Sequence, residues 1–174
     1  LRRDAAAAVE QLRDQGLKPL ILSGDAAPAV AKVAGELGVE DARAGLKPDD
    51  KLAAVRELQR AGHLVAMVGD GVNDAPVLAG ADVSIAMGTG AQLAHASADM
   101  VMLSERLSSL PLGVAGARRT LRVIKQNLIW ALAYNLVALP LAAAGLVAPW
   151  MAAVGMSMSS LVVVFNALRL RRVE

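Results

Sequence analysis

Cysteine is absent from the 174 residues, so the chain can form no disulfide and offers no thiolate to a metal. Aromatic residues are scarce too: two Trp, one Tyr and one Phe, about 2% of a sequence that is 55% hydrophobic. That hydrophobic fraction is high for a soluble protein, and the charges that remain are unevenly spread. Residues 1–126 carry charge throughout, whereas residues 127–168 contain no Asp, Glu, Lys or Arg. Such segregation argues for two halves rather than one ordinary soluble domain. The formal net charge of +2 points to no class of partner. Leu1 is not an initiator Met, and Leu1-Arg2-Arg3 resembles no secretory signal, which reads as a start inside a longer protein. Abundant Ala, Arg and Val suggest a GC-rich bacterial source.

In the charged half, short apolar runs alternate with segments of helical spacing. Helices are expected over residues 4–15, stopped at Gly16, over 29–37, ended by Gly38, and over 48–61 with Leu52, Val55 and Leu58 inward. A further helix starts at residues 74–78, where Pro76 suits a first turn. Strands are expected at 20–22, 42–45, 64–68, 83–86 and 100–103, the last two around a small helix. This alternation predicts an α/β fold, a parallel sheet covered on both faces, with ligands gathering at the carboxyl ends of its strands.

Residues 107–126 read as one basic helix carrying Arg118, Arg119, Arg122 and Lys125. It runs into an apolar span at 128–148, a turn at Pro149-Trp150, and a second span at 151–168. Each span is near the roughly 20 residues that cross the hydrocarbon core. Arg169, Arg171 and Arg172 follow the second span, so basic residues flank both outer ends, and the positive-inside rule puts those ends in the cytosol. Trp130 and Trp150 fall near opposite interfaces.

Three segments carry chemistry. The run Gly69-Asp70-Gly71-Val72-Asn73-Asp74-Ala75-Pro76 follows a strand and sets two carboxylates and an amide on a glycine-loosened turn. Oxygen ligands converging there suit a hard cation such as Mg²⁺ beside a phosphoryl group. Ser23-Gly24-Asp25 offers a hydroxyl and free backbone amides at another strand end, and Lys51 a cation for phosphate oxygens. Phosphoryl transfer rests mainly on such positioning and charge neutralisation. Taken singly, each segment is as consistent with a turn or a solvated face; the three together are not.

With those residues in place, the chain resembles the C-terminal part of a heavy-metal-transporting P-type ATPase. The family's Gly-Asp-Gly-x-Asn-Asp-x-Pro motif is intact at Gly69 to Pro76, its Thr-Gly-Asp appears as Ser23-Gly24-Asp25, and its motif lysine matches Lys51. The resemblance implies a haloacid-dehalogenase-like parallel sheet with flanking helices, followed by an α-helical transmembrane hairpin. It implies a cytosolic phosphorylation domain at 1–106, a basic linker helix at 107–126, two transmembrane helices within 127–168 and a cytosolic tail at 169–174. In that family Asp70 and Asp74 hold Mg²⁺, while Ser23, Gly24, Asp25, Lys51 and Asn73 serve the phosphoryl group that ATP donates. The family's nucleophile is the aspartate of an Asp-Lys-Thr-Gly sequence, which does not occur here. This chain alone is therefore expected not to hydrolyse ATP, and the missing upstream portion of the same pump is an expected partner.

The spans carry Tyr134-Asn135 and Met156-Ser157-Met158-Ser159-Ser160 at lipid depth. Polar groups there face a bundle interior or a pathway, but hydroxyls also glue helices and methionine also fills gaps. Ligand and packing readings stand level on this ground. The absence of Asp, Glu and Lys favours a soft, singly charged ion such as Cu(I) over a hard divalent one. Copper-transporting relatives show Tyr-Asn and Met-x-x-Ser-Ser in these helices, matching Tyr134, Asn135, Met156, Ser159 and Ser160, whereas zinc-type members carry a lysine and an aspartate. Silver and Cu(II) remain open. The resemblance further implies delivery by a copper chaperone, residence in the bacterial inner membrane, and no nucleic acid. Met87-Gly88-Thr89-Gly90 with Ala96-Ser97-Ala98-Asp99 is similar to pumps that supply copper for haem-copper oxidase assembly. His63 and His95 are isolated and given no metal role, and Met67, Met87, Met100 and Met102 read as packing. Pro140 is expected to kink the first span. Two other readings are a membrane-tethered phosphatase of the same superfamily and a non-catalytic piece associating with an intact pump.

Overall fold

The structure is a computed structural model that describes residues 1–69, 74–87, 98–104 and 106–171. It divides into two compact units, Leu1–Pro111 and Leu112–Glu174.

In the first unit helices and strands alternate: α1 (Ala5–Asp14), β1 (Leu20–Leu22), α2 (Ala27–Leu37), β2 (Asp41–Arg43), α3 (Pro48–Arg60), β3 (Ala66–Gly69), α4 (Ala75–Gly80), β4 (Val83–Met87) and β5 (Met100–Met102). α1 is alanine-rich, which favours helix, and buries Ala5 and Ala8 with Val9 and Leu12 half-covered on the same face. Proline sits in the first turns of α2, α3 and α4, where its missing N–H costs nothing. The core is densest where α3 meets α4: Val55, Val77 and Leu78 have no exposed surface.

Every ladder is parallel, as the alternation requires. The strands form two sheets among the described residues, β1-β2 and β3-β4-β5. In register, Leu20 faces Asp41, and Ala66 faces Val83. One side of β1 and one side of β3 therefore pair with no described strand.

Two strand boundaries differ from the sequence reading by two residues, and the other shifts are of one residue. β3 begins at Ala66, not residue 64, and Leu64 is 90% exposed. The cause is Asp82: its carboxylate accepts the Val65 N–H at 2.8 Å, and the Val65 carbonyl accepts the N–H groups of Asp82 and Val83. Val65 is thus held by the loop before β4. β2 ends at Arg43, because the Gly45 N–H bonds the Asp25 carbonyl in a turn. The small helix expected between β4 and β5 falls at residues outside those described.

The second unit is an antiparallel helix pair, α5 (Ser109–Ala143), which starts just before the unit boundary, and α6 (Pro149–Leu168), followed by a 3-10 turn at Arg169–Arg171. α5 continues without a break from the basic stretch into the apolar one, about 52 Å at 1.5 Å per residue. α6 is about 30 Å long, the thickness of a hydrocarbon core. The turn lies at residues 144–148 rather than at Pro149-Trp150, which instead open α6. Gly145 (φ 75°) closes α5: its N–H bonds the Ala142 carbonyl at 3.0 Å, and the Leu146 N–H bonds the Leu141 carbonyl at 3.0 Å. This left-handed cap suits glycine.

Candidate functional site

Ser23 follows directly on β1. Its hydroxyl donates to Asp25 Oδ2 at 2.9 Å and accepts the Asp25 N–H at 3.1 Å, closing a small turn. The backbone laces this turn to the segment after β2, with Ser23 N–H to the Arg43 carbonyl at 3.0 Å and Leu46 N–H to the Ser23 carbonyl at 3.0 Å. Gly24 lies close against that segment; a Cβ there would stand 3.2 Å from the Leu46 carbonyl oxygen.

From Leu46 the chain enters α3, whose start is fixed by Asp50 accepting the Lys47 N–H at 3.0 Å. Asp49 and Asp50 lie in its first turn, where the helix dipole favours acids. One turn on from Lys47, Lys51 reaches Asp74 at the start of α4, Nζ to Oδ1 2.8 Å, with only 14% and 16% of the two side chains exposed. Asp74 also presses on the end of β3: a Cβ on Gly69 would sit 3.2 Å from Asp74 Cβ and 3.3 Å from its Oδ2. Only glycine leaves Asp74 this room.

Backbone bonds thus tie the turn after β1 to the segment leading into α3, and Lys51 on α3 is paired in turn with Asp74 at the start of α4. Ser23, Gly24, Asp25, Lys51 and Asp74 belong to this chain of contacts, whereas Asp70 and Asn73 lie outside the described residues. A carboxylate next to an ammonium suits a site where cations and phosphate oxygens meet. Asp74 is a hard oxygen donor of the kind Mg²⁺ takes, and its Oδ2 is not the atom that faces Lys51. Among the described residues no group of three or more His, Cys, Asp and Glu gathers as a metal cluster.

Sequence reasoning missed a second polar knot. Ser84, 3% exposed on β4, gives its N–H and hydroxyl to Asp99 Oδ2 at 2.9 and 2.7 Å, and its hydroxyl accepts the Asp99 N–H at 2.9 Å. These bonds hold the Asp99 carboxyl below the usual carboxylate range. The Val65 N–H does the same for Asp82, and the Ser108 N–H for Asp4. A Ser–Asp pair fifteen positions apart with no local motif leaves no sequence signal. The oxidase-assembly resemblance rests largely on residues outside those described.

Within the helix pair, Tyr134 Oη would stand 2.9 Å from a Cβ on Gly155, one residue before Met156. Asn135 donates to the Ala131 carbonyl at 2.8 Å, and Ser160 to the Met156 carbonyl at 3.0 Å, both within their own helices. The Met156 side chain is exposed in this chain. Interhelical contacts not foreseen include Trp130 donating to Ser159 Oγ at 3.1 Å, and Asn166 donating to Asn127 Oδ1 at 2.9 Å and to Gln126 Oε1 at 3.2 Å. Ser159 is thereby a packing partner of Trp130, which the level reading of that segment had left open.

A profile of the haloacid dehalogenase-like hydrolases matches residues 1–82. The chain is 44% identical over 171 residues to a cation-transporting P-type ATPase B of Mycobacterium bovis, spanning 98% of this chain and 23% of that one. It is 42% identical over 174 residues to a copper-exporting P-type ATPase of Staphylococcus haemolyticus, spanning 100% of this chain and 22% of that one. The solved structure of a zinc-transporting PIB-type ATPase in its E2.Pi state superposes with a TM-score of 0.92 at 40% identity, over 99% of this chain and 28% of the other. Over nearly its whole length the chain is similar to P-type ATPases. It spans less than a quarter of the length of these two curated relatives. The fold is haloacid-dehalogenase-like, followed by two helices long and apolar enough to cross a membrane.

Proposed function

We propose that this chain forms part of an ATP-driven copper(I) transporter that works through an aspartyl-phosphate. The observation that carries the reading is the largely buried Lys51–Asp74 pair, supported by a copper-exporting relative aligned over the whole chain. The γ-phosphoryl group of ATP passes to a carboxylate supplied from outside these residues, and ADP leaves. The Ser23 hydroxyl and the Gly24 amide bind the phosphoryl oxygens, Asp25 holds the Ser23 turn through its N–H and carboxylate, Lys51 neutralises those oxygens, and Asn73 adds a neutral hydrogen bond. Asp70 and Asp74 hold Mg²⁺, which when bound supplies further neutralisation of those oxygens.

Residues 1–106 act in this proposal as the phosphorylation domain, 107–126 as a basic linker, 127–168 as the membrane hairpin and 169–174 as a cytosolic tail. Tyr134, Asn135, Met156 and Ser160 line the copper path, and a copper chaperone delivers the ion. The charge-free hairpin supports Cu(I), because thioether and neutral oxygen donors satisfy a soft monovalent ion without a counter-charge. Zinc is the second reading, favoured by the superposition on a zinc-transporting ATPase.

The test uses the full-length protein that carries this chain. Asp70→Ala abolishes Mg²⁺-dependent phosphoenzyme formation. Met156→Ala lowers turnover stimulated by Cu(I) while leaving phosphorylation by inorganic phosphate. Copper stimulation unchanged in Met156→Ala refutes the ligand role, and stimulation by Zn²⁺ but not Cu(I) or Ag(I) moves the assignment to zinc. Mg²⁺-dependent hydrolysis of small phosphate esters that neither Cu(I) nor Zn²⁺ stimulates instead identifies a tethered phosphatase.

A further inference from the structure

Trp130 and Tyr134, one turn apart on α5, meet Ser159 and Gly155, one turn apart on α6. The Trp130 indole N–H donates to Ser159 Oγ at 3.1 Å, and Tyr134 Oη lies 2.9 Å from where a Gly155 Cβ would stand. Asn127 and Asn166 continue the same seam with a 2.9 Å bond between their side chains. Ser157 and Ser160 turn their hydroxyls to carbonyls one turn back, those of Ala153 and Met156. Ser159 instead reaches the other helix.

Each successive residue of a helix is turned by about 100°. Asn135 follows Tyr134, Met156 follows Gly155 and Ser160 follows Ser159, and all three are exposed. In an antiparallel pair, that turn carries the next residue of either helix to the same flank. The seam therefore brings Asn135, Met156 and Ser160 to one flank of the pair. A close approach at Gly155 sets how near the helices come but lets α6 roll; a directional N–H···O bond resists the roll.

We propose that Trp130 and Ser159 are positioning residues for the ion path: their hydrogen bond holds the rotation of α6 at which Met156 and Ser160 share a flank with Asn135. The inference rests on the copper reading given above. It adds that the affinity for the ion is set in part by two residues that do not touch it.

The test uses the full-length protein that carries this chain, with turnover followed against free Cu(I). Trp130→Phe, which keeps a ring but loses the N–H, raises half-saturating Cu(I) roughly threefold or more, the weight of one interhelical hydrogen bond. Maximal turnover and phosphorylation by inorganic phosphate stay near those of the wild type. Ser159→Ala repeats the shift in half-saturation, Ser159→Thr, which keeps a hydroxyl, does not, and Trp130→Phe/Ser159→Ala shifts no further than either single variant. The proposal is overturned if half-saturation is unchanged in Trp130→Phe, if maximal turnover falls in its place, as for a bond that only holds the fold, or if the two single shifts add. Met156→Ala is measured alongside. Copper stimulation lost there with no shift in Trp130→Phe overturns this inference alone, whereas stimulation unchanged there removes the ligand reading and this inference with it.

Discussion

Lys51 and Asp74, twenty-three positions apart, meet at 2.8 Å with about six-sevenths of each side chain out of water. Removing either member strands the other charge in a poorly solvated place, whereas removing both does not. Lys51→Met and Asp74→Leu are each expected to destabilise the α/β unit by about 2–3 kcal/mol. The double variant should recover most of that loss. Pulse proteolysis of the detergent-solubilised protein across a urea series measures all three, and additive losses would mean that the pair is not coupled.

Gly69→Ala places a methyl 3.2 Å from Asp74 Cβ and forces the carboxylate aside by a few tenths of an ångström. Stability should fall by about 1 kcal/mol, at the low end for overpacking. Phosphoenzyme formation in the full-length protein should fall much further, because Asp74 is displaced from Lys51. Comparing the midpoint of urea unfolding with the phosphorylation rate separates the two effects.

The site was legible in the sequence as parts rather than as an assembly. β1 appears where the apolar run Leu20-Ile21-Leu22 demanded it, and α3 starts at Pro48 as expected. Both signals are local: periodicity and a proline whose φ is already helical. The Lys51–Asp74 and Ser84–Asp99 pairs are products of tertiary folding, and no spacing rule brings residues 23 or 15 positions apart together. Leu64 misled for a related reason. It extends an apolar run, but Asp82 had already taken the backbone of Val65.

Gly155→Ala should push α6 away from Tyr134, since its methyl would stand 2.9 Å from the phenol oxygen. Tyr134→Phe removes that oxygen and should restore most of what Gly155→Ala loses. Unfolding midpoints of the two single variants and the double variant in detergent, rather than turnover, give the packing coupling directly. Equal loss in the double variant and in Gly155→Ala would show that the contact carries no weight.

Acid should loosen the α/β unit at identifiable amides. Asp4, Asp82 and Asp99 have lowered carboxyl pKa values, each held down mainly by a hydrogen bond donated to the carboxylate. The unfolded chain then binds protons more readily than the folded one. The stabilisation is fully present above the ordinary carboxylate value of about 3.9 and is lost as pH falls from there through the lowered folded values. Hydrogen exchange at the Val65, Ser84 and Ser108 amides should show protection falling over that range. Asp99→Asn should flatten the pH dependence at Ser84 alone.

The parting of the strands into a ladder of two and a ladder of three leaves β1 and β3 each with a row of backbone donors and acceptors that no described strand engages. Bare flanks of this kind are templates for any extended peptide that drifts past. Handled by itself, the polypeptide is prone to zip onto its own copies, and a short β-forming peptide supplied in excess should keep it in solution by occupying those rows.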